Sequence, residues 1–178
     1  MKRVEKDFFA RDSVTVAREL IGKVLQVGDC SVRITETEAY RQDKASHAYT
    51  RTTRSAIMYD TYGHVYVYFI YGMYFCVNIT TEAGEKPGAV LIRAGEPLKG
   101  IEKMKERRGV EKVEDLCSGP GKLCMALGIT KEQNGLELGK EVSVWDDGFV
   151  VGKIGKGRRV GIKGDEHLLW RFFVKNLE

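Results

Sequence analysis

The stretch Tyr62–Asn78 reads Y-G-H-V-Y-V-Y-F-I-Y-G-M-Y-F-C-V-N, and it holds five of the chain's eight tyrosines. Every residue from 65 to 70 is β-branched or aromatic, which predicts a strand. Alternation puts Val65, Val67 and Phe69 on one face and Tyr66, Tyr68 and Ile70 on the other. Gly72 can take the positive φ of a tight turn, and 75–80 can return as a second strand. The product is a hairpin with Tyr71 at its tip. A large aromatic there either folds back flat on its own sheet or serves as a wedge that slides between stacked bases.

Working outward, the strand expected over 31–40 places Val32, Ile34, Glu36, Glu38 and Tyr40 on one face. An apolar face that runs into carboxylates is costly unless they are paired or used. Downstream, 89–94 (A-V-L-I-R-A) reads as a buried strand carrying Arg93, which needs a carboxylate, and Glu36 and Glu38 are the inward candidates. Between these lies a long, mostly irregular segment, 41–62, with His47, Arg51 and Arg54 among small hydroxyl residues, a mixture suited to phosphate oxygens. A lone histidine is more often a satisfied structural residue than a ligand, so His47 means little by itself, and the same holds for His64 and His167.

Upstream, Asp12 is a candidate N-cap for a helix carrying Val14, Ala17, Leu20 and Ile21, closed by Gly22; a strand is expected over 23–28, with Gly28-Asp29 as the next turn. Pro97 is expected to open a helix with Leu98, Ile101 and Met104. Ser118-Gly119-Pro120-Gly121-Lys122 precedes a short helix ending at Gly128. It fails the P-loop pattern, since Leu116 and Leu123 replace the first glycine and the Ser/Thr. A helix N-terminus beside Lys122 can still grip one backbone phosphate, or the glycines and proline can be purely structural. Strands are expected at 141–145, 149–154 and 168–174. The run 151–163 has five basic residues and no acidic one, either a nucleic-acid-facing ribbon or a solvated loop.

A length of 178 residues suits one domain spanning 1–178, and 43% hydrophobic residues supply a core. A net charge of +4 permits a polyanionic partner without demanding one. Four cysteines without a CxxC pair and only three histidines argue against zinc and against a disulfide framework. The N-terminal residues 1–9 lack a signal-peptide run, and 65–77 is too short and too rich in tyrosine to span a membrane. The expectation is a soluble cytoplasmic protein, with no metal and no cofactor.

Taken together, E-T-E-A-Y (36–40), A-S-H-A (45–48), Y-V-Y-F-I-Y-G-M-Y-F-C-V-N (66–78), L-I-R-A-G-E-P (91–97), L-C-S-G-P-G-K-L (116–123) and W-R-F (170–172) resemble the alkyladenine (3-methyladenine, methylpurine) DNA glycosylase family, in its order and over nearly the whole chain. The resemblance implies a monofunctional base-excision repair enzyme for damaged purines in double-stranded DNA, expected on the nucleoid in a prokaryote. A basic face and a protruding hairpin that serve one duplex point to a monomer. The implied fold is one α+β domain with a curved, open-barrel-like antiparallel sheet, flanking helices and a protruding hairpin. By matching positions, Glu38 resembles the general base and Arg93 its partner. Tyr40, Ala45, His47, Tyr68, Asn78, Leu91 and Val160 resemble the walls around a flipped base. Tyr71 and Met73 resemble the inserting tip, and Arg51, Arg54, Tyr74, Lys122, Arg158 and Arg159 would meet the DNA backbone. Departures sit in loops: Thr52-Thr53-Arg54-Ser55 replaces a Thr-Pro-Arg-Asn run, Asp60-Thr61-Tyr62-Gly63 a Pro-Gly turn, and Leu169 the proline before W-R-F.

Rivals remain open: a carbohydrate hydrolase using Glu36 and Glu38, a damaged-DNA binder without chemistry, and a metal-dependent hydrolase built on Glu36, Glu38 and His47.

Overall fold

The centre of the molecule is a pair of long antiparallel strands, β3 (Cys30–Tyr40) and β6 (Ala89–Lys99), which hold the rest of one curled sheet. The computed structural model describes residues 1–175. Ahead of β3 come β1 (Lys2–Arg3), α1 (Ser13–Leu20) and β2 (Val24–Val27). Between the long strands lie α2 (Ala56–Asp60), β4 (Val65–Ile70) and β5 (Tyr74–Thr80). After β6 follow α3 (Ile101–Arg108), α4 (Val113–Leu116), α5 (Pro120–Leu127), β7 (Val142–Asp146), β8 (Ile154–Gly157) and β9 (Arg171–Val174). Pairing is antiparallel throughout, in the order β1-β7-β2-β3-β6-β5-β4, and β9 joins β3 to β8. The architecture is α+β, as the resemblance implied.

Local chemistry accounts for the elements that carry the site. The Asp12 carboxylate accepts the Val14 and Thr15 amides, each at 3.0 Å, and caps α1, whose Val16, Ala17 and Leu20 are wholly buried. α1 lies against β3, where the Thr37 hydroxyl donates to the Ala17 carbonyl at 2.8 Å. Pro120 occupies the first turn of α5, and Gly128 closes it in the left-handed region at φ 74°. Val65 and Val67 go to the core and Tyr66 and Tyr68 to the other face, as alternation predicts.

The β3–β6 pairing slips near its outer end, between Ser31 and Val32, and again beside the site. Ile34 faces Gly95, Glu36 faces Ala94 and Thr37 faces Ile92, leaving Thr35 and Arg93 outside the ladder. Irregularities of this kind re-aim the side chains beside them.

Several boundaries differ from expectation. β6 does not stop at Ala94 but runs to Lys99 through Pro97, with Gly100 leading into α3. Pro97 pairs with Val32 on one side, and β5 reaches only Leu91 on the other, so no ladder partner there requires its missing N–H. The segment 41–62 is less irregular than expected, holding a short 3-10 turn, His47–Tyr49, and α2. Phe149–Val151 is not a strand: the Arg33 guanidinium stacks 4.0 Å from the Phe149 ring and Val151 sits over Gly22, so these side chains hold an irregular edge. Regular pairing starts at Ile154, and the last strand begins at Arg171 rather than Leu168.

Candidate active site

Register brings the sequence-distant candidates into one row. Glu38 stands opposite Leu91, Leu91 opposite Asn78 and Asn78 opposite Tyr66, so these four residues cross β3, β6, β5 and β4 on one face. Above that row lies a cavity of about 590 Å³. Tyr40, Tyr68, Asn78, Leu91 and Arg93 wall it from the sheet, Ala45 and His47 from the loop after β3, Tyr71 and Tyr74 from the hairpin, and Val160 from the segment after β8. The size and the apolar, aromatic walls suit a planar heterocycle.

Glu38 lies just behind this wall and is 0% exposed. One carboxylate oxygen accepts the Val160 amide at 2.7 Å and has the Arg93 Nε at 3.5 Å; the other accepts the Tyr40 hydroxyl at 2.8 Å. Burial pushes the Glu38 carboxyl above its ordinary value, against the pull of Arg93, the Val160 amide and the Tyr40 hydroxyl. Arg93 is closer to Glu36, at 3.0 Å, and Arg171 approaches the same Glu36 oxygen at 3.4 Å. The inward arginine therefore meets both expected carboxylates but is shared between them. Glu36 is held by these two guanidinium groups. Among the described residues no group of three or more His, Cys, Asp and Glu side chains is gathered closely enough to hold a metal ion.

The aromatic walls are locked to one another. His47 meets the Tyr68 ring edge-on with centroids 4.6 Å apart, and its Nδ1 lies 2.9 Å from the Tyr66 hydroxyl. Desolvation first, and the Arg54 charge second, push the imidazole down to about 4, so the ring is neutral at physiological pH although part of it opens to the cavity. Burial likewise holds the Tyr40 and Tyr68 hydroxyls protonated. Asn78 sits in the floor, 3% exposed, donating to the Tyr66 carbonyl at 3.1 Å.

At the hairpin tip Ile70 pairs with Tyr74, leaving Tyr71, Gly72 and Met73 as the turn. Tyr71 does not fold back on the sheet: it is 80% exposed, and Met73 is 62% exposed. Tyr74 packs on the start of α5 so tightly that a Cβ on Gly121 would come within 2.9 Å of its ring.

A buried carboxylate thus lies under an aromatic cavity, beside an exposed aromatic tip. A family model described as Methylpurine-DNA glycosylase (MPG) matches residues 7–178. The chain belongs to the methylpurine-DNA glycosylase family. Relatives named "Putative 3-methyladenine DNA glycosylase" include one from Clostridium perfringens, 45% identical over 98% of this chain and 96% of its own length. Another, from Methanocella arvoryzae, is 44% identical over 99% and 94%. A third, from Agrobacterium fabrum, is 45% identical over 95% and 87%. The protein is thus a DNA glycosylase, and DNA is its substrate.

The cations expected at the glycosylase's DNA backbone divide into groups. Arg54, Lys122 and Arg158 are exposed; Lys122 lies on the cavity rim, and Arg54 sits 5.3 Å over the Tyr68 ring. Arg51 is exposed but forks onto Asp60 at 2.7 and 2.8 Å. Arg159 is a correction: it is 4% exposed, its guanidinium spent on Asp43, so it does not face solvent phosphates. Two lysines, Lys122 and Lys163, also line the cavity mouth. Both ammonium groups are exposed there, and Lys122 donates to the Ser118 hydroxyl at 3.1 Å.

Sequence reasoning missed Tyr66, Met58, Cys76, Ala89 and Ile162 as cavity lining. The signal for Tyr66 was present, since it alternates in phase with Tyr68. Nothing in the spacing pointed to Ile162. No helix in the described residues is long and apolar enough to cross a membrane.

Proposed function

We propose that this glycosylase rotates a damaged purine out of duplex DNA into the aromatic cavity and hydrolyses its N-glycosidic bond with a water activated by Glu38. The observation that carries this reading is the Glu38 carboxylate itself, buried and gripped by the Val160 amide, the Tyr40 hydroxyl and Arg93 at the base of a cavity of about 590 Å³.

The substrate class is alkylated and deaminated purines, such as 3-methyladenine, 7-methylguanine, hypoxanthine and ethenoadenine. Stacking on Tyr40, Tyr68 and His47 rewards electron-poor rings by about 1–3 kcal/mol per base and does not read sequence. Neutral His47 and Asn78 supply the polar edge of the pocket. Tyr71, with Met73 beside it, fills the gap in the duplex and slows the base's return. As the purine departs with the bonding electron pair, the sugar takes on oxocarbenium character, which the ionised carboxylate stabilises. Water oxygen then bonds to the anomeric carbon while Glu38 takes the water's proton. A carboxylate has about four lone-pair sites, and the three donors now present, the Val160 amide, the Tyr40 hydroxyl and Arg93, leave one for this water.

No Schiff-base step is proposed, because the rim lysines do not touch Glu38 or its partners. The product is an abasic site with both strands intact. The enzyme acts as a monomer and a single domain in the cytoplasm, on the nucleoid.

Duplex oligonucleotides each carrying one lesion, treated with enzyme and then alkali, test the reading. Breaks that depend on the lesion and on alkali are expected. Glu38→Gln should lower the excision rate by roughly 10²–10⁴-fold while lesion binding persists. A Gln variant that excises at the wild-type rate would remove Glu38 from the mechanism.

A further inference from the structure

One strongly charged group near the site is used by nothing described so far. Arg159 follows the exposed Arg158 and precedes Val160, yet it is buried. Its Nη2 donates to Asp43 Oδ1 at 2.8 Å and its Nη1 to Asp43 Oδ2 at 3.2 Å, while Nη1 also reaches the Ala39 carbonyl at 3.1 Å. The guanidinium carbon lies 4.8 Å from the Tyr40 ring centroid and 5.1 Å from that of Trp170. Its Nε is buried without a hydrogen-bond partner among the described residues, so the group is not optimised for its own satisfaction.

Asp43 is equally committed. Besides the fork it accepts the Arg41 amide at 3.1 Å and the Ala45 amide at 3.0 Å, which shapes the loop leading to His47. One ion pair thus joins the end of β3, the His47 wall, Trp170 and the residue before Val160. Buried ion pairs contribute little net stability compared with apolar side chains of similar size. What a bidentate arginine–carboxylate fork does supply is fixed geometry.

We propose that Arg159, forked onto Asp43, is a positioning residue that holds the Val160 amide and the Tyr40 hydroxyl on the two oxygens of Glu38. The proposal rests on Glu38 being the base that activates water. Both contacts favour the ionised carboxylate, so slackening them leaves Glu38 harder to ionise and less well aimed. The other groups around Glu38 make no bond to Arg159: Glu36 and Arg93 at the β3–β6 slip, Arg171 opposite on β9, and Tyr68 and Cys76, whose hydroxyl and thiol burial keeps protonated.

The test is single-turnover excision with saturating enzyme, followed across the acid limb of the pH profile. Three proteins are compared with wild type: Arg159→Lys, the double variant Asp43→Leu/Arg159→Met, and Glu38→Gln. The double variant leaves no lone buried charge. Its rate should fall on the order of 10²-fold, as a displaced base does. Its acid limb should move to higher pH by about one unit. Arg159→Lys keeps the charge but not the fork, and should recover part of the rate and of the limb position. If the double variant does not fold, the lysine variant carries the test by its own limb shift. A rate that is unchanged or raised, or a fallen rate with an unmoved limb, overturns the proposal. Wild-type excision by Glu38→Gln would instead overturn the reading of the site on which it rests.

Discussion

Glu38 shows how a single side chain is set between stability and chemistry. Its carboxyl is fully buried, and desolvation outweighs the combined pull of Arg93, the Val160 amide and the Tyr40 hydroxyl. One reason is geometric: Arg93 lies 3.0 Å from Glu36 but 3.5 Å from Glu38, so its charge is divided. Because the folded-state value lies above the ordinary 4.5, the folded chain holds this proton more firmly than the unfolded chain does. The associated stability is present below 4.5 and is lost as pH rises through the folded value. Ionised Glu38 therefore weakens the fold at neutral pH. Glu38→Gln should be more stable than wild type towards urea at pH 7, with the gap closing as the medium is acidified below 4.5. Equal gaps at both pH values would contradict this account. The same variant is expected to lose excision, in which case the position trades stability for activity.

At the scale of an element, the β4–β5 hairpin carries its own evidence of use. Tyr71 and Gly72 both lie in the left-handed region, at φ 54° and 67°, and the Met73 amide closes the turn on the Ile70 carbonyl at 3.2 Å. Glycine accepts that conformation without strain, whereas a tyrosine there costs about 1–2 kcal/mol. A turn selected only for stability would carry Asn-Gly or Gly-Gly. Tyr71→Gly should therefore leave the protein as stable or up to about 1 kcal/mol more stable. Excision from duplex DNA should fall roughly tenfold or more, since losing even ~1.4 kcal/mol of wedging is a factor of ten. Excision from single strands, where nothing needs to be held apart, should change little. A fluorescent base analogue beside the lesion reports flipping directly, and an unchanged signal in Tyr71→Gly would argue against the wedge.

For the whole molecule, a net charge of +4 is modest, so where the cations stand matters more than how many there are. Arg54, Lys122, Arg158 and Lys163 are exposed and carry no ion pair among the described residues; Lys122 and Lys163 are on the cavity rim itself. Each phosphate neutralised contributes about −0.9 to the slope of log affinity against log salt, so four contacts give about −3.6. Lys122→Ala should reduce the steepness by about 0.9 on any duplex sequence, because backbone contacts position without specifying. An unaltered slope would place the DNA away from the α5 end of the cavity. Arg51 and Arg159, tied to Asp60 and Asp43, add nothing to this count.

The sequence by itself determined whatever depends on neighbours a few residues apart. Alternation in 65–70 separated the core valines from the pocket tyrosines, and Asp12, Pro120 and Gly128 marked helix ends that the structure keeps. The same local logic called for a carboxylate beside Arg93 and placed Tyr71 at a turn. Only the tertiary structure decided which partners the charges take. Arg93 leans towards Glu36 because the β3–β6 ladder slips there. Arg159 reads as a surface cation in a basic run, but folding sets it against Asp43, 116 residues earlier, and sets the Val160 amide on Glu38 across 122. No periodicity carries such information. Period and propensity report which side of its own element a residue faces, whereas an ion pair between distant segments exists only once the sheet has closed and brought them together.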